Sequence, residues 1–220
     1  MENIKDKGAA RMQYCEQLLS SEAFESWNAL SNAAFVAAAL AGWAQARRHR
    51  ASLWSGSSLL ILLTLAIGAG SFAWHATHAP WAELADVLPI LGFVLVFLYL
   101  SMRDLAGGSV KAVVACGAML AAIGGLIAVA PRALNGSLAY LPVLVGLACL
   151  ALATPWPKTK RLLRAAAAVF AVSLTARTLD FVICADYPHG SHWLWHLGNG
   201  VVIFLAIKAT LVRVRTHVHD

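Results

Sequence analysis

The sequence predicts an all-α, polytopic integral membrane protein: a bundle of seven transmembrane helices. Three observations carry that prediction. Of the 220 residues, 60% are apolar and only 13% charged, with a mean hydropathy of +0.68, outside the range of ordinary soluble domains. The apolar residues fall in blocks of about 20, the length a helix needs to cross a ~30 Å hydrocarbon core. Lysine and arginine, finally, gather in alternate loops. A β-barrel is excluded because the apolar runs lack period-two alternation.

In chain order, the first 26 residues contain no apolar core, which argues against a cleavable signal peptide and makes them an extracytoplasmic lead-in. The first span, 27–46, is closed by Arg47, Arg48 and Arg50. The second covers 55–75. The third, 84–102, runs into Arg103 and Lys111, and the fourth covers 109–129. Behind the fifth, 137–154, come Lys158, Lys160, Arg161 and Arg164. The sixth is expected over 162–183 and the seventh over 193–212, with Lys208, Arg213 and Arg215 at its end. Spans and loops use the whole chain, so 1–220 reads as one domain with no soluble appendage.

The opposite loops hold Arg132 and no Lys or Arg in 76–83 or 184–192. This positive-inside pattern places the C-terminus in the cytoplasm and the N-terminus outside. Lys5, Lys7 and Arg11 run against it, partly offset by Glu2, Asp6 and Glu16. The net charge of +6 is therefore topological, and no nucleic-acid or protein partner is implied. The partner is the bilayer. The compact loops suit a bacterial inner membrane.

Ionisable residues inside spans are costly and mark functional sites. Ser71 and His75 end the second span on the outer side, Asp86 begins the third there, and His192 and His196 begin the seventh. Ser71-x-x-x-His75 and His192-x-x-x-His196 are i, i+4 pairs, each on one helix face. Two imidazoles so spaced bind one metal ion, and His75 from another helix completes three ligands, leaving a fourth position open as catalytic zinc requires. Asp86 is placed to take a proton from water, and Ser71 to donate to an oxyanion. Taken singly, each residue has a plainer reading, a histidine as a headgroup contact and Asp86 as a helix cap. Their coincidence at one depth favours the metal. His78 and His189, in the same outer loops, are the alternative ligands.

Other polar groups are placed by topology. Arg177 and Asp180, an i, i+3 pair, are expected to pair with each other, with contact to an anionic lipid group as the other role for Arg177. Trp74, Trp81, Trp193 and Trp195 form an outer aromatic belt, one or two of them walling a lipid channel. Cys116 and Cys149 lie within spans as packing residues. Cys15 and Cys184 share the outer side, where a disulfide is permitted and two free thiols are the alternative.

These residues carry a family resemblance. GSFAWHATHAPWAELADVLPI resembles the alkaline ceramidase segment in which Ser-x-x-x-His precedes an Asp by eleven residues, here Ser71, His75 and Asp86. SHWLWHL resembles the family's closing His-x-x-x-His, at His192 and His196. YCE followed by ESWNALSN resembles its opening segment, at Tyr14, Cys15, Glu16, Glu25, Trp27, Asn28 and Asn32. The wider superfamily takes in progestin/adiponectin-type receptors and haemolysin-III-like proteins; the YCE…WN opening favours the ceramidase branch.

The resemblance implies a zinc amidase cleaving ceramide, with His75, His192 and His196 as ligands, Asp86 orienting or deprotonating water and Ser71 steadying the oxyanion. It also implies a Cys15–Cys184 disulfide. A calcium site is implied at Glu16 and Glu25 with the carbonyl of Tyr14, although Gln13 and Leu18 stand where the family carries Asp and Asn. The competing readings are a seven-helix receptor with structural zinc, and a transporter or haem protein ligated by His75 with His192 or His196.

Overall fold

The computed structural model describes residues 14–19 and 24–216, and every regular element among them is helical. Gln13, Lys5, Lys7 and Arg11 lie outside the described residues. A short helix, α1 (Cys15–Leu19), leads in. The first apolar stretch is two helices, α2 (Ser26–Ser31) and α3 (Ala33–Arg48), which run through Asn32 as one 23-residue span. Asn32 keeps helical dihedrals but turns its Nδ2 back on the carbonyls of Asn28 and Ala29, at 2.9 and 3.2 Å. Side-chain bonds to the backbone of this kind bend helices.

The remaining elements are α4 (Gly56–Thr77), α5 (Pro80–Ala106), α6 (Ser109–Val129), α7 (Leu141–Ala153), α8 (Pro157–Leu179) and α9 (His192–Thr216). Their ends follow from sequence. Ser55 caps α4 by accepting from the Ser58 amide at 3.3 Å. Pro80 and Pro157 open α5 and α8, and Gly107, at φ 67°, closes α5 in the left-handed conformation. Among the described residues, six helices are long and apolar enough to cross a membrane. The fifth apolar stretch is shorter: a single 3₁₀ turn, Ser137–Tyr140, leads into the 13-residue α7. The stretch expected over 162–183 is helical over Pro157–Leu179, starting earlier and stopping at the turn that presents Asp180.

α9 is the centre of the bundle, touching α2, α3, α4, α5 and α8. α6 is peripheral, with Ala112 its one buried residue; a helix apolar on every face suits a lipid surround.

The contact between α4 and α5 sets up the site. Pro89 lies inside α5 and has no N–H, so the Ala85 carbonyl loses its i+4 donor. Gly70 of α4 packs directly against that carbonyl, and a Cβ at position 70 would collide with the Ala85 carbonyl and stand 2.8 Å from the Asp86 amide nitrogen. This close approach puts Ser71 beside Asp86. Gly70→Ala is therefore expected to lower the thermal midpoint in detergent by several degrees, since overpacking against rigid backbone costs about 1–3 kcal/mol or more. Gly124→Ala, whose Cβ meets nothing within 4 Å, should leave the midpoint unchanged or raise it. Equal midpoints for the two variants would refute the close-packing account.

Candidate metal centre and active site

Two helix ends bring three histidines to one buried point. His75 lies in the last turn of α4, and His192 and His196 occupy the first two turns of α9. All three are buried, at 1, 1 and 2% exposure. Ring centroids are 4.7 Å apart for His192–His196, 5.0 Å for His75–His196 and 5.2 Å for His75–His192. One ligand atom from each lies within 4.8 Å of the others, so the cluster is able to hold a metal ion. Among the described residues, no other group of three His, Cys, Asp or Glu is so arranged.

The bonds behind the rings decide which nitrogens face inward. Ser31 Oγ donates its one proton to the Asn28 carbonyl at 2.8 Å. It therefore accepts at its 2.7 Å contact with His196 Nδ1, which places the proton on Nδ1 and the lone pair on Nε2. His75 Nδ1 likewise donates to Glu25 Oε2 at 2.8 Å. At His192, Arg177 Nη1 stands 3.5 Å from Nδ1, too far to fix a tautomer. There the ring is held by Tyr14, stacked on it at 3.7 Å between centroids.

Glu25 stands directly behind this cluster. Expected as a calcium ligand, it sits fully buried behind His75, with Asn28 Nδ2 donating to Oε2 at 2.6 Å and His78 Nε2 3.1 Å from Oε1. Burial pushes its carboxyl up, against the opposing pull of the Asn28 bond. Carboxylates behind metal-binding histidines orient the ring and strengthen it as a ligand, typically by 10–100-fold in affinity. Glu25→Gln should accordingly weaken metal binding at this cluster about tenfold or more, measured by competition with a chromophoric chelator; unchanged affinity would remove Glu25 from this role. Glu16 is engaged elsewhere, accepting from Ser26 Oγ at 3.0 Å and from the Trp27 and Asn28 amides at 2.8 and 2.9 Å. It caps α2, whose N-terminus favours a negative charge. The Tyr14 hydroxyl accepts from Arg177 Nη1 at 3.0 Å, and burial pushes its pKa up to about 12, only partly countered by Arg177.

Ser71 and Asp86 line a pocket of about 50 Å³ together with His192, His196 and Arg177. The Ser71 hydroxyl faces the Asp86 carboxyl within hydrogen-bonding reach, while Asp86 Oδ1 is buried with no hydrogen-bond partner. A buried carboxylate oxygen normally has one, so this atom is open to a group that no described residue supplies. His78 and His189 stay outside the cluster; His189 packs on Trp27 instead.

Asp180 does not serve Arg177 as expected. Its Oδ2 accepts from the Cys15 amide at 2.9 Å, and Oδ1 from the amides of Ser191 and His192 at 2.7 and 2.8 Å. The reason is local: the chain re-enters α9 here, and a carboxylate at a helix N-terminus is favoured. Arg177 turns to aromatic faces, lying 5.5, 5.4 and 5.5 Å from the ring centroids of Tyr14, Tyr140 and Trp195. Cys15 and Cys184 are joined, with Cα atoms 5.3 Å apart, so the lead-in that carries Tyr14 is tied to the turn before α9. Gly190, at φ 60°, is required in that turn, because a Cβ there would strike Asp180 Oδ1 and Cys15.

Below the pocket lies an apolar chamber of about 100 Å³ that shares Phe35, Ile67, Ile90, Tyr140 and Trp195 with it. Trp74 and Trp195 are thus interior walls, whereas Trp81 is exposed. The chamber's outer wall, formed by Leu98, Met119, Gly146 and Leu150, is shared with a groove of about 690 Å³ on the outside of α5, α6 and α7. Cys149, exposed, lines that groove.

Fold and site together define a polytopic helical membrane protein with a buried cluster of three histidines, and an acid and a hydroxyl in the adjoining pocket, above an apolar chamber. The chain belongs to the ceramidase family: a family model described as Ceramidase matches residues 6–217, nearly the whole chain. Membership supports a ceramide-hydrolysing function, that of a hydrolase acting on the amide bond of a lipid held in the membrane. A comparison with curated proteins finds no match.

Proposed function

We propose that the chain is a zinc-dependent intramembrane amidase. It cleaves the N-acyl bond of ceramide or a related N-acyl lipid, giving a long-chain base and a fatty acid. The observation that carries this reading is the orphan Asp86 Oδ1 in one pocket with His192 and His196, in a three-histidine cluster where Glu25 and Ser31 leave the Nε2 lone pairs of His75 and His196 free. An all-nitrogen, three-histidine donor set suits zinc with one position left open. Zinc bound by His75, His192 and His196 would acidify a water and polarise the amide carbonyl.

The protein's own residues do the rest. Asp86 accepts the attacking water's proton and returns it to the leaving amine nitrogen. Ser71 donates to the oxygen that becomes negative, its hydroxyl held close to that position by the α4–α5 contact. The guanidinium of Arg177, walled by Tyr14, Tyr140 and Trp195, supplies a fixed positive charge on the same pocket. An acyl chain lies in the apolar chamber and reaches the bilayer past Met119 and Gly146, so only the amide meets polar groups.

A receptor with structural zinc gives Asp86 no reason to hold an unpartnered buried oxygen. The proposal includes no calcium: Glu16 caps α2 and Glu25 holds His75. The arginine-rich ends of α3, α5 and α9 are read as cytoplasmic and the histidine end as extracytoplasmic, in a bacterial inner membrane.

Fatty-acid release from N-acylsphingosine by the detergent-purified protein, followed by mass spectrometry, tests the reading. Release is expected to disappear after prolonged chelation and return with zinc. Zinc-loaded, folded protein that hydrolyses no N-acyl lipid would sink the amidase.

A further inference from the structure

The bundle has a second polar chamber, at the end opposite the histidines, which amide chemistry leaves unused. It lies between the ends of α3, α5 and α9 and the start of α4, and encloses about 520 Å³, within the ~300–1,000 Å³ usual for small-molecule sites. Arg50, Arg103 and Arg213 line it, and among the described residues Asp104 is the one carboxylate on its wall. That carboxylate is shared: Oδ1 is 2.9 Å from Arg103 Nη2 and Oδ2 is 2.9 Å from Arg213 Nε. Among the described residues, three guanidiniums face a single carboxylate on this wall. Arg213 is only 3% exposed, so water cannot screen its charge as it would at the surface.

Arg50 adds a second, independent sign. The end of α3 is a Schellman turn, with the Arg50 amide donating to the Arg47 carbonyl at 3.0 Å and the Ala51 amide to the Ala46 carbonyl at 2.9 Å. Its left-handed residue is usually glycine, yet here it is Arg50, at φ 52°. A charged side chain is thus kept at a strained position that aims it at the chamber. The hydroxyls of Ser52, Ser55 and Ser57 complete a wall rich in donors, Ser55 and Ser57 linked at 2.8 Å. Next to it, Leu53 and Trp54 project outward at 69 and 97% exposure.

We propose that this chamber binds a phosphate group. Guanidinium forks match its oxygens bidentately, hydroxyls add further donors, and its negative charge offsets the excess of arginine. The shared chemistry is that of an anionic phospholipid headgroup or of free phosphate. The inference does not depend on the amidase reading.

Thermal midpoints of the full chain test it in two arms. In one, inorganic phosphate is titrated in neutral detergent against chloride at equal ionic strength. In the other, phosphatidylcholine nanodiscs are compared with and without phosphatidylglycerol. The test variant is Arg50→Gln/Arg103→Gln, both side chains exposed, with zinc content checking that the histidine end is intact. Wild type should be stabilised by phosphate, phosphatidylglycerol or both, and the double variant should lose about tenfold or more in apparent affinity. Stabilisation by phosphate in detergent identifies the free ion, and stabilisation by phosphatidylglycerol alone identifies the headgroup. A wild type that responds to neither, or a double variant with intact zinc that responds like wild type, overturns the proposal.

Discussion

His196→Ala is expected to empty the metal centre while leaving the helices in place. Zinc per chain, by elemental mass spectrometry, should fall from near one in wild type to about one tenth or less. Lipid hydrolysis should fall by about three orders of magnitude or more, since removing a ligand outright costs more than the 10–100-fold of an outer partner. His196 is the instructive choice among the three. His75 also holds Glu25, and the ring of His192 carries Tyr14, so replacing either disturbs other contacts. The non-metal partner of His196 is Ser31 Oγ at 2.7 Å, and Ser31 keeps its bond to the Asn28 carbonyl when the ring is gone. Circular dichroism should therefore be unchanged. Full zinc retention in His196→Ala would exclude it as a ligand and move the centre toward His78, which shares Glu25 with His75.

The histidine spacing behind this prediction is legible in the amino-acid sequence alone. An i, i+4 pair lies on one face whatever surrounds the helix, and apolar blocks of membrane length fix which ends share a depth. The support behind the site is not legible in that way. Ser31 and Glu25 act through bonds to rings 165 and 50 positions away in the chain, and spacing along one helix contains no trace of such contacts. Asp180 departs from expectation for a different reason. Its proximity to Arg177 favours pairing, but the turn before α9 presents amides that attract a carboxylate more strongly than a neighbour on the same helix. The chamber at the opposite end is hidden for a related reason. Arg50, Arg103 and Arg213 each fit the positive-inside pattern alone, and only packing of α3, α5 and α9 shows that they enclose a common space.

Asp86→Asn separates catalysis from metal binding, and here the amidase and receptor readings part. The amide has the carboxylate's shape, so the α4–α5 packing at Gly70 and Ala85 should survive and the histidines should keep their zinc. What is lost is the ability to take a proton from water and give it to the amine. General acid–base groups are worth about 10²–10⁴-fold, and kcat should fall within that range with little change in KM. Ser71→Ala serves as the graded comparison, since loss of one oxyanion donor costs about 10²–10³ in kcat. It should also free the Asp86 carboxyl from its hydroxyl neighbour, so its effect combines two changes, whereas Asp86→Asn makes one. An Asp86→Asn protein with full zinc and undiminished hydrolysis would remove the acid from the mechanism. Zinc lost together with activity would instead make Asp86 part of the metal's own support, and its unpartnered oxygen would then be facing the ion.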